Sequence, residues 1–292
     1  MYKKIFLPAI AILCLSFAYN TEILKKIFSF PRELKELSAV EVTRKSKWIW
    51  TLQDSGNKSE LYALNEKGEL VNTLFITDVL NYDWEELTAD PEGNLYIGDF
   101  GNNKNARKEL YIYKIDAKDL KKTETRTAAK ITFYYPEQAE FPPPKAQRYY
   151  DLEAFFLLGD NFYLFTKNRS STSDGSTFLY TVPNIPGNHA AKLVGSFKSC
   201  TDFHSCAITG ADISPNGKKM VLLSYGHIWL FTNFKGTDFF SGKVQQIDLP
   251  DMSDKEGICF VGNHKLFVVD ERNKGVGGNL YEVNLRKLKP KS

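Results

Sequence analysis

The stretch Asp83-Trp84-Glu85-Glu86-Leu87-Thr88-Ala89-Asp90-Pro91-Glu92-Gly93-Asn94-Leu95-Tyr96-Ile97-Gly98-Asp99 decides the fold. An acid leads an apolar run, Asp90 to Asn94 makes a turn, and a second apolar run ends on another acid. Two strand-length runs joined by a Gly- and Asn-containing link predict a hairpin. The pattern returns from Glu153-Ala154-Phe155 to Lys167, through Gly159-Asp160-Asn161, and from Glu256-Gly257-Ile258 to Asp270, through Gly262-Asn263-His264. The lead acid and the strand end stand 14 residues apart each time. A fourth unit runs from Ala211 to Tyr225, with the acid displaced to Asp212 and the turn at Ser214-Pro215-Asn216-Gly217. A first unit, from Ser38-Ala39-Val40 to Asp54, is longer by two residues.

Further strands follow each hairpin. A third column reads Leu61-Tyr62, Leu110-Tyr111, Leu179-Tyr180, Ile228-Trp229 and Leu280-Tyr281. A fourth covers Val71 to Thr77, Lys130 to Tyr135, Lys192 to Phe197 and Val244 to Leu249. Four short antiparallel strands repeated at roughly 45–65 residues describe the blades of a β-propeller, an all-β fold. Five blades are expected over residues 37–292, with six as the alternative, because Leu120 to Tyr150 is long. The last unit ends near Val283, so residues 19–36 are expected to close it, with Ile23 to Phe30 as its fourth strand. Closing the ring in this way removes an exposed sheet edge.

Composition agrees with that class. Among 292 residues, 42% are hydrophobic and 14% aromatic, and aromatics favour pleated surfaces. Net charge is +3 with no basic block, which argues against nucleic acid as a partner. Lys3 and Lys4 precede the apolar run Ile5 to Phe17, and Ser16-Phe17-Ala18 offers small residues to a signal peptidase. Residues 1–18 therefore read as a cleaved leader, giving a periplasmic or secreted monomer without a membrane span. Lipid anchoring through Cys14 is the alternative. In such a compartment Cys200 and Cys206 are expected to form a disulfide, and Cys259 to be a buried thiol.

In a propeller the lead residue of each inner strand turns towards one mouth of the central channel. Asp83, Glu85, Asp151, Glu153, Asp212 and Glu256 are thus the candidate metal ligands. Several carboxylates near one axis cannot all stay charged without a cation or basic partners, and hard oxygen ligands suit calcium. The other reading is that they bond backbone N–H groups and lock the ring. The strand-end loops supply candidate ligand-binding residues: Asp54, Asn57, Asp99, Asn102, Asn103, Arg107, Lys167, Arg169, Tyr225, Asp270, Glu271 and Arg272. There is no H-E-x-x-H, no G-x-S-x-G and no complete phosphate loop, so no nucleophile is assigned.

Trp50 to Asn57, Asp83-Trp84-Glu85, Ile97 to Asn103, Tyr150 to Ala154, Thr209 to Asp212 and Glu256-Gly257, in this order, resemble a widespread group of exported bacterial β-propeller proteins. More remotely they are similar to phytase-like, esterase-like and calcium-dependent lactonase propellers. The resemblance implies an acidic channel that takes calcium. It carries over no activity, because the lactonase ligand pattern is not reproduced position by position. Two functions are therefore expected to compete. One is a propeller that binds a divalent cation and a small anionic or ester-type ligand, with hydrolysis as its chemistry. The other is a non-enzymatic module binding an extracellular protein or glycan through Phe141, Tyr149 and Tyr150.

Overall fold

A computed structural model describes residues 23–43 and 45–288. The expected leader, with Cys14, lies outside the described residues. The chain folds into five sheets, each built on four antiparallel strands. From the innermost strand outward, blade one comprises Glu41–Val42, Ile49–Thr51, Glu60–Leu64 and Leu70–Ile76. Blade two comprises Trp84–Ala89, Leu95–Asp99, Leu110–Ile115 and Ala129–Tyr134. Blade three is Asp151–Leu158, Asn161–Lys167, Ser176–Pro183 and Lys192–Lys198. Blade four is Gly210–Ile213, Lys219–Leu223, His227–Thr232 and Lys243–Asp248. Blade five is Lys255–Phe260, Lys265–Asp270 and Asn279–Asn284, and its outermost strand is the N-terminal Lys25–Ser29. Each inner strand touches the next, and the first touches the last, so the ring is closed. The protein is a five-bladed β-propeller.

The stretch from Leu120 to Tyr150 holds no sixth blade. It supplies the outer strand of blade two and a short strand, Glu124–Thr125, that pairs in parallel with the outer strand of blade one. Gly187–Ala190 does the same for blade two. Each outer edge so covered is less open to pairing with another chain.

The core consists of five apolar clusters, one between each pair of blades. Phe155 and Phe162 meet Tyr96, Phe100 and Phe133 on one side of blade three. Phe156 and Phe165 meet Trp229, Phe231 and Phe239 on the other. Successive residues of a strand point to opposite faces, and here both faces are covered. That is why Ala154 to Leu158 reads as continuous apolar sequence rather than as an alternation. Burying one such ring stabilises the ring of blades by about 2–3 kcal/mol.

The inner strands carry the feature that shapes the mouth. Pairing of blade two slips by one residue between Trp84 and Glu86, leaving Glu85 as a bulge. Glu153 and Glu256 sit at the same slip in blades three and five. A bulge turns its extra residue away from the ladder, so one acid from each of three blades leaves the sheet at the same height.

Candidate functional site

Blades one and four place hydroxyls where the others have acids. Ser38 Oγ donates to Trp84 O at 3.0 Å, and Thr209 Oγ1 donates to Lys255 O at 2.6 Å. Each ties its blade to the residue just before the lead acid of the next. Gly210, paired with Leu223, corresponds to Gly257, paired with Val269. The lead residue of blade four is therefore Thr209, and the expected alignment on Ala211 is two residues late. Asp212 lies three residues further on, about 10 Å along the strand. It lines the opposite mouth with Glu41, and is not brought to the other acids. There it accepts from Ile213 N at 2.7 Å and Phe260 N at 2.6 Å, a locking role between blades.

The mouth with the bulge acids encloses a cavity of about 300 Å³. Its blade-three wall is neutralised. Lys167 Nζ lies 3.2 Å from Glu153 Oε2, and Arg169 Nη2 lies 3.0 Å from Glu153 Oε1. Arg169 Nε is paired with Asp151, whose other oxygen accepts from Asn102 N at 2.7 Å. Two acids thus meet two bases. Burial works against the Glu153 carboxylate, yet Lys167 and Arg169 outweigh it and hold its pKa below the ordinary value. Burial also opposes the Lys167 ammonium, and Glu153 and Glu256 outweigh it and raise its pKa.

The wall formed by blades one and two is not neutralised. Carboxylate oxygens of Asp54, Asp83 and Glu85 lie within 4.8 Å of one another. Glu85 is only 5% exposed, and its carboxylate has no hydrogen bond and no ion pair among the described residues. It packs on the α-carbon of Gly101, where a Cβ would collide with it. Burial, then Glu153, Asp54 and Asp83, push its pKa well above the ordinary value. Burial, then Asp54, push Asp83 up to about 7. Asp54 is raised chiefly by burial, although its carboxylate accepts from Ser55 N. These three adjacent acids have no ion pair among the described residues, only Asp83 being partly offset by Ser55 and the charge of Arg107, and they could hold a hard cation.

Glu256 lies on a third wall, where Tyr225 Oη donates to its Oε1 at 2.6 Å. Burial raises Glu256 to about 8. The disulfide Cys200–Cys206 closes the loop that brings Phe203 and His204 to the rim. His204 packs edge-on to the Tyr225 ring at 5.5 Å. Sequence reasoning passed over Phe203, His204 and Thr209. Tyr225 and the cysteine pair were the signals that this loop reaches the mouth.

Several expected ligand residues point elsewhere. Asp99 is fully buried inside its blade, accepting from Tyr113 Oη at 3.3 Å and pairing with Arg107 at 2.9 Å. Asp270 does likewise with Tyr281 Oη at 3.0 Å. A strand end that meets the third-strand tyrosine faces into the blade, not into the channel. Arg107 also holds the carbonyls of Asp99 and Gly101. Arg272 holds those of Phe30 and Pro31, fastening the N-terminal strand. Asn102 organises its own loop through Arg107 N and Tyr150 O. Asn57 bonds Glu36 at 2.7 Å on the rim, whereas Asn103 and Glu271 line the cavity. Tyr150 is buried, and Phe141 and Tyr149 are half-buried.

The chain is thus a five-bladed propeller with acids lining both mouths, and the bulge acids lie at the one that also holds Lys167 and Arg169. No protein-family model matches the sequence, and no curated protein matches it. Solved structures that resemble it include the hydrazine synthase of Kuenenia stuttgartiensis and the Dos1 propeller, each with a TM-score of 0.41 and 11% identity over 80% of this chain. The chain spans 64% and 52% of their respective lengths.

Proposed function

We propose that the mouth with the bulge acids binds a divalent cation, calcium first, through Asp54, Asp83 and Glu85, together with a small ligand bearing ester or anionic oxygens. The observation that supports this most directly is Glu85, a buried carboxylate beside two others with no donor or base to compensate it. Charge left in such a place is costly. A bound cation removes that cost, and all-oxygen donors match calcium. The cation would polarise a ligand oxygen and favour hydrolysis. The Cys200–Cys206 disulfide supports a periplasmic or secreted setting, where such bonds persist.

Thermal unfolding with and without calcium tests the reading. A ligand that binds only the native state stabilises it. Calcium is expected to raise the melting temperature of the wild type and to leave Glu85→Gln unmoved. Equal melting with calcium and with a chelator in the wild type would remove the reading.

A further inference from the structure

We infer that Glu256, held by Tyr225, is the proton-transfer residue of this mouth, and that its substrate is a neutral carboxylic ester. The inference rests on the cation reading above and assigns the reaction to residues outside the cation's donor set.

Glu85, Glu153 and Glu256 occupy the same bulge position in three blades, and their surroundings differ completely. Glu85 is bare. Glu153 is bound by Lys167 and Arg169, so it cannot take a proton readily. Glu256 alone has one oxygen fixed by a hydroxyl and the other without a hydrogen bond among the described residues. That is what a general base requires: an orientation set by one bond and a free oxygen towards the substrate. It is half-buried on the wall of a cavity of about 300 Å³ that Asp54 and Glu85 also line. The groups that face it are Lys167, Glu153, Glu271 and Tyr225, with Glu86 further along the channel. Their balance and its burial put its pKa at about 8, close to neutrality, where proton transfer is most effective. Equivalent carboxylates pushed apart by their surroundings mark divided roles.

Charge selects the substrate. Glu36, Asp54, Glu85, Glu256 and Glu271 face the cavity, while Lys167 and Arg169 are taken by Glu153 and Asp151. A bound dication offsets only part of this charge, so a doubly charged phosphoester is disfavoured relative to a neutral ester. In the reaction, water oxygen bonds to the ester carbonyl carbon while Glu256 takes a water proton. The carbon–oxygen bond to the alcohol then breaks, and Glu256 returns the proton to the departing alkoxide. One ester and one water give one acid and one alcohol, and Glu256 ends as it began.

The test uses the full chain with calcium, and p-nitrophenyl acetate and p-nitrophenyl phosphate as probes. Hydrolysis of the acetate, not the phosphate, is expected. Glu256→Gln should lower it about 100-fold or more, a normal loss for a general base, with calcium affinity unchanged. Tyr225→Phe removes a bond that favours the carboxylate, so the rising limb of the pH–rate profile should move to higher pH. The assignment is overturned if Glu256→Gln keeps its rate within threefold, if only the phosphate is cleaved, or if calcium-loaded wild type cleaves neither. Failure of calcium to bind the wild type at all would instead defeat the cation reading.

Discussion

Glu85 and Glu153 occupy the same place in adjacent blades, yet Glu153 is gripped by Lys167 and Arg169 and Glu85 has no partner. The contrast divides the mouth. On one side charge is balanced by the protein itself, and on the other it is left to an incoming ligand. The same position thus supplies structure in one blade and a site in the next.

The balanced side should behave as one unit. Lys167→Met leaves buried Glu153 with Arg169 in place of two bases, and is expected to cost about 3 kcal/mol or more. Glu153→Gln combined with Lys167→Met should recover much of that loss, because the under-compensated charge is gone. Chemical denaturation of the singles and the double gives the coupling, and simple additivity would show that the pair is not a unit.

Thr209→Val keeps the shape of the side chain and removes its 2.6 Å bond to Lys255 O. A loss of about 1 kcal/mol is expected, with no change in calcium affinity. A neutral result would mean that the hydroxyl does not help to fasten blade four to blade five.

Without calcium, stability should fall as pH rises through neutrality. Glu256 is raised to about 8, and Asp83 and Glu271 to about 7, chiefly by burial. A raised carboxyl binds its proton more tightly folded than unfolded. Its contribution is complete below the ordinary carboxylate range and is lost as pH climbs through the folded value. Glu153, held low by its bases, acts in the opposite sense, and only at pH below that range. Melting temperatures in a chelator should therefore decline between about pH 5 and about pH 9, and calcium should flatten the decline. A rise over that interval would contradict the assigned burial.

The Cys200–Cys206 bond closes a short loop, so removing it should cost modestly, on the order of 2 kcal/mol. Because the loop carries Phe203 and His204, Cys200→Ser with Cys206→Ser should also weaken ligand capture. Unfolding experiments with the double variant measure the first effect. Unchanged stability would mean that the folded loop needs no staple.

The fold was legible because the repeat is spelled in hairpins. The spacing of Glu85 to Asp99, Glu153 to Lys167 and Glu256 to Asp270 reflects a real equivalence, down to the shared bulge. Blade four misled because its lead residue is a hydroxyl. Thr209 carries no acidic mark, and Asp212, which does, is three residues away and serves the opposite mouth. Direction was the other gap. Spacing says where along a blade Asp99 and Asp270 fall, but only the tyrosines of the third strands turn them inward. Nor can spacing show that Lys167 and Arg169 would neutralise Asp151 and Glu153 while Asp54 joined Asp83 and Glu85, since those pairings cross strands and blades.

Calorimetric titration of calcium into the chelator-treated protein tests the central claim most directly. One calcium per chain is expected for the wild type and for Glu256→Gln, with binding abolished or weakened at least tenfold in Glu85→Gln. Calcium binding that is absent from the wild type, or as tight in Glu85→Gln as in the wild type, would contradict the account.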